Sequence, residues 1–253
     1  MTNKSIQKLE KLLQENKIVI ASIAPSWKTF FPKISKKELI LALKKIGFWA
    51  VSETALGVDF VTATVAQKIE RDNKIYEKSS QKSDRLYITA ACPTCVNFIR
   101  TKFPEFEKNI IFESSPLFQH AKMLKNLYGS DCAVVFIGPC PAKKTEAEKC
   151  SFVDCVLTFN DLEQNFESVL KMNFEPACDF CENKVDYVPY CADFLEKDIF
   201  LLDGGILESF SKYNIDVSCK TIFGLENLSK SLIDFSENCD KENTEQARAE
   251  LWI

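Results

Sequence analysis

Short apolar runs alternate with amphipathic segments along most of this chain. Residues 18–24 are nearly all apolar and include several β-branched side chains, which is typical of a strand buried on both faces. The next segment has helical periodicity, with Ser35 and Glu38 as a predicted capping box and Gly47 as the predicted end. Because strand-like and helix-like segments alternate in this way, the sequence predicts an α/β fold with a mostly parallel sheet.

The chain of 253 residues is long enough to form two lobes. The alternation of strands and helices continues on both sides of Gly129. We therefore expect two lobes, at residues 1–129 and 130–253. Each lobe would hold a small, mostly parallel sheet flanked by helices.

Charge and hydropathy exclude several classes of function. The net charge is −4 and the charges are interspersed, so no nucleic-acid partner is expected, and the lysine pairs, such as Lys143 and Lys144, are interpreted as solvated helix faces. The polar N-terminus lacks the apolar core of a signal peptide, and no apolar run approaches the ~18 residues of a membrane span. With seven glycines, the chain contains no dinucleotide fingerprint or phosphate loop. We expect a cytoplasmic protein without a membrane partner.

Eleven cysteines are unusual for a cytoplasmic chain, in which paired thiols indicate metal or redox chemistry rather than disulfides. Two pairs have CxxC spacing, Cys92 with Cys95 and Cys178 with Cys181. Together they would supply four thiolates for zinc or an iron–sulfur cluster, although more than 80 residues separate the pairs. A thiol redox motif is the other interpretation of a CxxC pair.

Other side chains that could bind a metal or act as nucleophiles are interpreted as structural residues. Cys132, Cys155 and Cys219 lie in apolar, strand-like runs, where cysteine behaves as a small hydrophobic residue. His120 is the sole histidine and shares a helix face with two leucines, so we expect a hydrogen-bonded core residue. This argues against a Cys–His nucleophile and against zinc sites that mix cysteine and histidine.

Two cysteines lie in corners that directly follow predicted strands. Residues 86–88 form a short apolar run, and Cys92 lies in the corner behind it. Residues 132–137 form another run, and Cys140 lies in the corner that follows. In open α/β folds, ligands and cofactors bind beyond the carboxyl ends of the strands. Both corners are therefore candidate sites for a ligand or cofactor.

Four short motifs, taken in order, resemble a known family. The resemblance is to the domain of [FeFe]-hydrogenases that holds the H-cluster, which belongs to their large subunit, and it extends from about residue 18 to residue 253. Its motifs are Ala24-Pro25-Ser26, Thr89-Ala90-Ala91-Cys92-Pro93, Ser115-Pro116 and Gly138-Pro139-Cys140-Pro141-Ala142-Lys143-Lys144-Thr145-Glu146.

This resemblance implies a [4Fe–4S] cluster in the cleft between two α/β lobes, held by four cysteines. In the family, one of those thiolates also bridges to a diiron centre that carries CO and cyanide, which completes the H-cluster. The implied residues are Cys92 and Cys140 as two cluster ligands, Lys143 as a donor to cyanide, and Pro25, Ser26 and Pro139 as pocket lining. The implied reaction is 2H⁺ + 2e⁻ ⇌ H₂, with ferredoxin or another iron–sulfur protein as electron partner.

Several positions depart from the family pattern. Ala91 stands where the family has a proton-relay cysteine, Gly138 stands where it has methionine, and Leu117 stands where it has glutamine. The second predicted helix covers residues 57–71 and is followed by an expected loop at residues 72–83. It has no carboxylate at residues 61–65. Since a proton relay needs titratable groups within hydrogen-bond reach of one another, this relay is interrupted. The pattern favours a sensory or electron-transfer relative over a catalytic hydrogenase.

The family's remaining two ligands belong to a C-terminal Glu-x-x-x-Cys-x-x-Gly-Cys motif. We interpret Glu250-Leu251-Trp252-Ile253 as its opening, so we expect a fragment or a chain that ends just before those ligands. Three functions therefore remain open: a hydrogenase, a sensory or electron-transfer iron–sulfur protein, and a structural zinc or thiol redox protein using Cys92, Cys95, Cys178 and Cys181.

Overall fold

The computed structural model describes residues 4–78, 85–89, 92–111, 115–171, 210, 213, 217–222, 224–239 and 249–252. In chain order the elements are α1 (Lys4–Glu15), β1 (Val19–Ile23), α2 (Trp27–Phe30), α3 (Lys36–Ile46), β2 (Ala50–Glu53), α4 (Leu56–Glu77), β3 (Arg85–Ile88), α5 (Pro93–Lys102), a 3-10 helix (Pro104–Asn109), α6 (Pro116–Tyr128), β4 (Ala133–Gly138), α7 (Ala142–Ala147), β5 (Cys155–Thr158), α8 (Phe159–Leu170), β6 (Ser218–Lys220), α9 (Leu225–Cys239) and β7 (Ala249–Trp252). This is a mixed α/β fold with parallel sheets, as the sequence predicts.

The chain divides into two compact units. The first unit consists of Met1–Gly57 with Pro116–Leu201, and the second of Val58–Ser115 with Leu202–Ile253. This division differs from the expected boundary at Gly129. Gly129, with a φ of +92°, connects α6 to β4, and both elements belong to the first unit. Each unit is therefore assembled from two separate parts of the chain.

The first unit contains a four-stranded parallel sheet in the order β2-β1-β4-β5. Every residue of the two central strands, β1 and β4, is buried. This burial explains their continuous apolar sequence, because a strand covered on both faces has no solvent-facing positions. Helices α1, α3, α6, α7 and α8 contact this sheet.

The capping signals around α3 are confirmed. The Ser35 backbone N–H donates to Glu38 Oε2 at 2.7 Å, and the Glu38 backbone N–H donates to Ser35 Oγ at 3.3 Å. Together these form a complete capping box at the start of α3. Gly47 ends the helix with a φ of +123°, a conformation that glycine adopts without the steric cost of a side chain.

The second unit contains a three-stranded parallel sheet in the order β3-β7-β6. One of its hydrophobic clusters joins β3 to α5, the 3-10 helix and α9, and its buried members are Leu86, Ile88, Ile99, Phe106, Leu228 and Leu232. The central strand, β7, was not predicted from the sequence. It has four residues and follows a polar stretch, so its strand conformation depends on pairing with β3 and β6.

Helix α4 extends to Glu77, whereas the sequence predicted a helix ending at Arg71 and a loop from Asp72 to Ser83. Two contacts with β3 involve the added turns of this helix. Arg85 Nη1 donates to Asn73 Oδ1 at 2.6 Å, and the Arg85 guanidinium lies 4.1 Å from the centre of the Tyr76 ring. These tertiary contacts are invisible to local periodicity. No helix in the described ranges is long and apolar enough to span a membrane.

Candidate metal centre

The Cys140 loop leaves the carboxyl edge of the four-stranded sheet. It connects β4 to α7, and the Lys143 backbone N–H donates to the Cys140 carbonyl at 3.2 Å. The neighbouring strand β1 runs parallel to β4, and the Ala24 N–H donates to the Ile137 carbonyl at 2.8 Å. Because both strands end at this edge, the loop that carries Pro25 and Ser26 lies beside the loop that carries Pro139 and Cys140 and leads to Lys143 in α7.

Lys143 forms a shielded ion pair on the short helix α7. Its Nζ atom lies 2.5 Å from Glu146 Oε2, and the two side chains are only 15% and 7% exposed. Lys143 is therefore shielded, contrary to the interpretation of this lysine as part of a solvated helix face. The pair holds an ammonium group close to the Cys140 loop, where it has the chemistry to donate hydrogen bonds to an anionic ligand.

Lys144 connects α7 to the start of α8. Its Nζ atom donates to Asp161 Oδ2 at 2.8 Å, and the same oxygen accepts from the Thr158 N–H at 2.7 Å. Burial by itself raises the pKa of the Asp161 carboxyl, but hydrogen bonds from Lys144 and Thr158 outweigh it and lower the pKa overall. The N-cap of α8 is Thr158, and Asp161 completes its capping box.

Cys92 lies at the N-cap of helix α5, with Pro93 in the first helical position. Its carbonyl accepts the Val96 N–H at 3.2 Å. A hydrogen bond with the Cys95 side chain lowers the pKa of the Cys92 thiol to about 5 against the opposing effect of burial, and the backbone N–H groups of Cys95 and Thr94 lower it further. The same contact raises the pKa of Cys95. Cys92 is thus suited to be a thiolate ligand at neutral pH.

His120 is part of a buried hydroxyl network in the first unit. Its Nδ1 and Nε2 atoms each lie 2.8 Å from a serine hydroxyl, those of Ser22 on β1 and Ser52 on β2. Ser22 Oγ also lies 2.8 Å from Thr54 Oγ1. Burial lowers the pKa of His120 to about 3, so the ring is neutral at physiological pH. The expectation of a hydrogen-bonded core histidine is confirmed, but its hydroxyl partners were not predicted.

Two of the cysteines that were interpreted as structural are buried. Cys132 and Cys155 are 1% and 4% exposed, and burial raises the pKa of each thiol to about 11. Their thiols therefore stay protonated at neutral pH, in contrast to Cys92. Cys219 is half-buried, and burial also raises its pKa. These three cysteines have the properties of packing residues rather than ligands.

The candidate ligands are divided between the two units. Cys92 belongs to the second unit and Cys140 to the first, and Cys92, Cys95 and Cys140 are all free thiols. Ala91, Cys178 and Cys181 lie outside the described residues. Within those residues, no three His, Cys, Asp or Glu side chains are grouped as a metal site. The donor chemistry of Cys92 and Cys140 fits two corners of an iron–sulfur cluster.

Residues 17–250 match the family described as iron only hydrogenase large subunit, C-terminal domain. The chain therefore belongs to this family. No curated protein sequence matches it.

Solved [FeFe]-hydrogenases share the fold. A structure from work on oxygen inactivation of the H-cluster has a TM-score of 0.57 and 20% identity, over 68% of this chain and 50% of that chain. The HydA(ΔEFG) structure, from work on stepwise H-cluster assembly, and a HydA1 variant from Chlamydomonas reinhardtii each have a TM-score of 0.54 and 18% identity, over 66% of this chain and 49% of theirs. The chain thus spans about half the length of these hydrogenases.

Proposed function

We propose that Cys92 and Cys140 each supply a thiolate to a [4Fe–4S] cluster, and that the protein acts in electron transfer or H₂ sensing. The observation that carries this proposal is the pair of free thiols beyond the carboxyl ends of β3 and β4, in a chain of the iron-hydrogenase family. The lowered pKa of Cys92 supports it, because iron binds the thiolate form. Ferredoxin or another iron–sulfur carrier is the proposed electron partner.

Residues around the Cys140 loop have the chemistry to accommodate a diiron centre as well. Lys143, held by Glu146, would donate hydrogen bonds to a cyanide ligand, and the Ser26 hydroxyl would line the pocket together with Pro25 and Pro139. When bound, that centre would supply the interconversion of protons and H₂. The protein residues would orient its anionic ligands and exclude water.

Helix α4 supports sensing or electron transfer over catalysis. Thr62 Oγ1 donates to the Val58 carbonyl at 2.9 Å, and Thr64 Oγ1 donates to the Phe60 carbonyl at 3.0 Å. These hydroxyls return hydrogen bonds to their own helix, and residues 61–65 contain no carboxylate. This stretch of α4 therefore lacks a group that could carry protons at neutral pH.

Anaerobic reconstitution with iron and sulfide tests the cluster. We expect iron and acid-labile sulfide in the wild-type chain, with an electron paramagnetic resonance signal after reduction. Cys92→Ser and Cys140→Ser should each lower the iron content several-fold, whereas Cys150→Ser, at a half-buried cysteine without a proposed role, should not. Unchanged iron in both ligand variants, or bound zinc in place of iron, would contradict the proposal.

Coexpression with hydrogenase maturation proteins separates sensing from catalysis. Infrared bands of CO and cyanide would report assembly of the diiron centre, since few protein vibrations occur in that window. We expect the cluster signal with negligible H₂ turnover. Turnover at the rate of an ordinary hydrogenase would refute the sensing and electron-transfer role, while leaving the cluster ligands in place.

A further inference from the structure

Gly138, the last residue of β4, is a glycine because of space and not because of backbone conformation. Its φ lies outside the positive range, which among the described glycines is adopted by Gly47, Gly129 and Gly224. A Cβ atom on Gly138 would lie 2.5 Å from Cζ and 2.6 Å from Cε1 of Phe136. Both distances are far below van der Waals contact between carbon atoms. The Phe136 ring therefore occupies the place that a side chain at position 138 would take.

The strand geometry explains how the ring reaches this place. Phe136 and Gly138 are two residues apart on β4, so they share one face of the sheet. On the neighbouring strand, Ser22 is the register partner of Phe136, and Ala24 lies two residues further on. The Ala24 Cβ would be 3.3 Å from a Cβ on Gly138. The small residues at positions 24 and 138 leave room at the carboxyl edge, and the ring of Phe136 fills it.

We propose that Phe136 is the positioning residue of the Cys140 loop. Its ring packs against the Gly138 backbone beside Ala24, at the point where one strand leads to Pro139 and Cys140 and the other to Pro25 and Ser26. The ring is 4% exposed, so it cannot turn out into solvent without opening the core. Its position sets the direction in which the Cys140 thiol leaves the sheet. This role deepens the proposed function and rests on it for the identity of the bound cluster.

Three variants test the relation between these residues. Gly138→Ala adds a methyl group that collides with the ring, and Phe136→Leu removes the ring atoms with which it collides. The double variant Phe136→Leu/Gly138→Ala approximately conserves volume, and such exchanges are tolerated better than either change alone. Two readouts are measured on the metal-free chain: the melting temperature and the alkylation rate of the Cys140 peptide, followed by mass spectrometry. The Cys150 peptide in the same sample is the internal control.

We expect Gly138→Ala to lower the melting temperature by about 5 °C and to change the Cys140 alkylation rate about threefold, with Cys150 unaffected. The double variant should return both values towards wild type. Losses that simply add in the double variant, or a Gly138→Ala protein identical to wild type, would overturn the proposal. If Gly138→Ala does not fold, Phe136→Leu is compared with the double variant. The added methyl should then be neutral or stabilising, and a further loss would refute the proposal.

Iron uptake is measured separately on the same proteins. A wild-type chain that binds no iron would refute the proposed function. Restoration of the Cys140 alkylation rate in the double variant would still establish Phe136 as the positioning residue of that thiol. The opposite combination, with iron bound in the wild type and no restoration in the double variant, would refute only the role of Phe136. A shifted signal of the reduced cluster in Gly138→Ala, restored in the double variant, is the expected result in loaded protein.

Discussion

The candidate ligands of the two units are positioned by different kinds of contact. In the first unit, the fully buried strand β4 leads into the Cys140 loop beside the equally buried β1, and the ion pair of Lys144 with Asp161 holds the short helix behind the loop. In the second unit, Cys92 depends on its own helix, because the N-terminus of α5 and Cys95 provide its described hydrogen bonds. One candidate ligand is thus positioned by tertiary packing and the other by local backbone geometry. Perturbing the core should affect the two differently.

The largest effect is expected from Gly57→Ala in the first unit. A Cβ on Gly57 would lie 2.0 Å from the Pro116 carbonyl oxygen and 2.8 Å from its carbon. Since these are backbone atoms, they cannot move aside as a flexible side chain would. We expect a loss of about 4 kcal/mol or more in the free energy of unfolding, measured by urea denaturation with the fluorescence of Trp27 and Trp49.

Gly129→Ala is the matched control for this variant. Gly129 has a φ of +92°, and no atom lies within 4 Å of the Cβ position. Alanine there is strained only by the backbone, at a cost of about 1–2 kcal/mol. Equal losses at positions 57 and 129 would show that the close contact with Pro116 is not the cause.

Matched truncations of two fully buried leucines compare the cores directly. Leu157 lies on β5 in the first unit and Leu232 on α9 in the second, and both are 0% exposed. We expect Leu157→Ala to cost about 4 kcal/mol and Leu232→Ala about 3 kcal/mol, because the smaller cluster can collapse more easily around a cavity. Hydrogen–deuterium exchange of peptides from each unit would measure the loss of stability in both variants. A larger loss of stability from Leu232→Ala than from Leu157→Ala would contradict this expectation.

The local signals in the sequence were sufficient for much of the first unit. Ser35, Glu38 and Gly47 act within one helix, so their pattern alone predicts where α3 begins and ends. The buried strands β1 and β4 were equally clear, since continuous apolar runs need no knowledge of their partners. The Cys140 corner followed from β4, because ligands in open α/β folds bind beyond the carboxyl ends of the strands.

The remaining features depend on residues that meet only in the folded chain. His120 was expected in the core, but its pairing with Ser22 and Ser52 arises from the parallel register of β1 and β2. The ion pair of Lys144 with Asp161 joins positions 17 residues apart. Strand β7 and the extended end of α4 likewise depend on contacts with β3. A single sequence contains no local pattern that specifies such partners.

Low pH should lower the stability of the first unit, because the buried His120 favours its neutral form. Burial lowers the folded pKa of His120 to about 3, whereas an unfolded histidine titrates near 6.5, so the unfolded state binds more protons at intermediate pH. The contribution of the neutral ring is fully present above pH 6.5 and is lost as pH falls towards 3. Between pH 7 and pH 5 we expect a loss of about 2 kcal/mol.

Because His120 is the sole histidine, the slope of stability between pH 6.5 and pH 5 is a test of this side chain. His120→Gln, whose amide can both donate and accept a hydrogen bond, should flatten that slope. The same measurement on peptides of the second unit is the control, and it should show little change over this range. An unchanged slope in the variant would contradict the buried, neutral histidine.

The smallest expected effect is the coupling energy of the Lys144–Asp161 ion pair, which attaches the helix behind the Cys140 loop to α8. Lys144→Met and Asp161→Asn each remove one partner of the pair that joins α7 to α8, and a double-mutant cycle isolates their interaction. We expect a coupling energy of about 1 kcal/mol, because the pair is partly shielded and shares its acceptor oxygen with the Thr158 N–H. The coupling should decrease as pH falls through the lowered pKa of Asp161, since the protonated carboxyl loses its charge.

Each single variant should also change the alkylation rate of Cys140 and leave that of Cys92 unaltered. A coupling near zero, or an equal effect on both thiols, would mean that the Cys140 loop does not depend on tertiary contacts more than the Cys92 corner does.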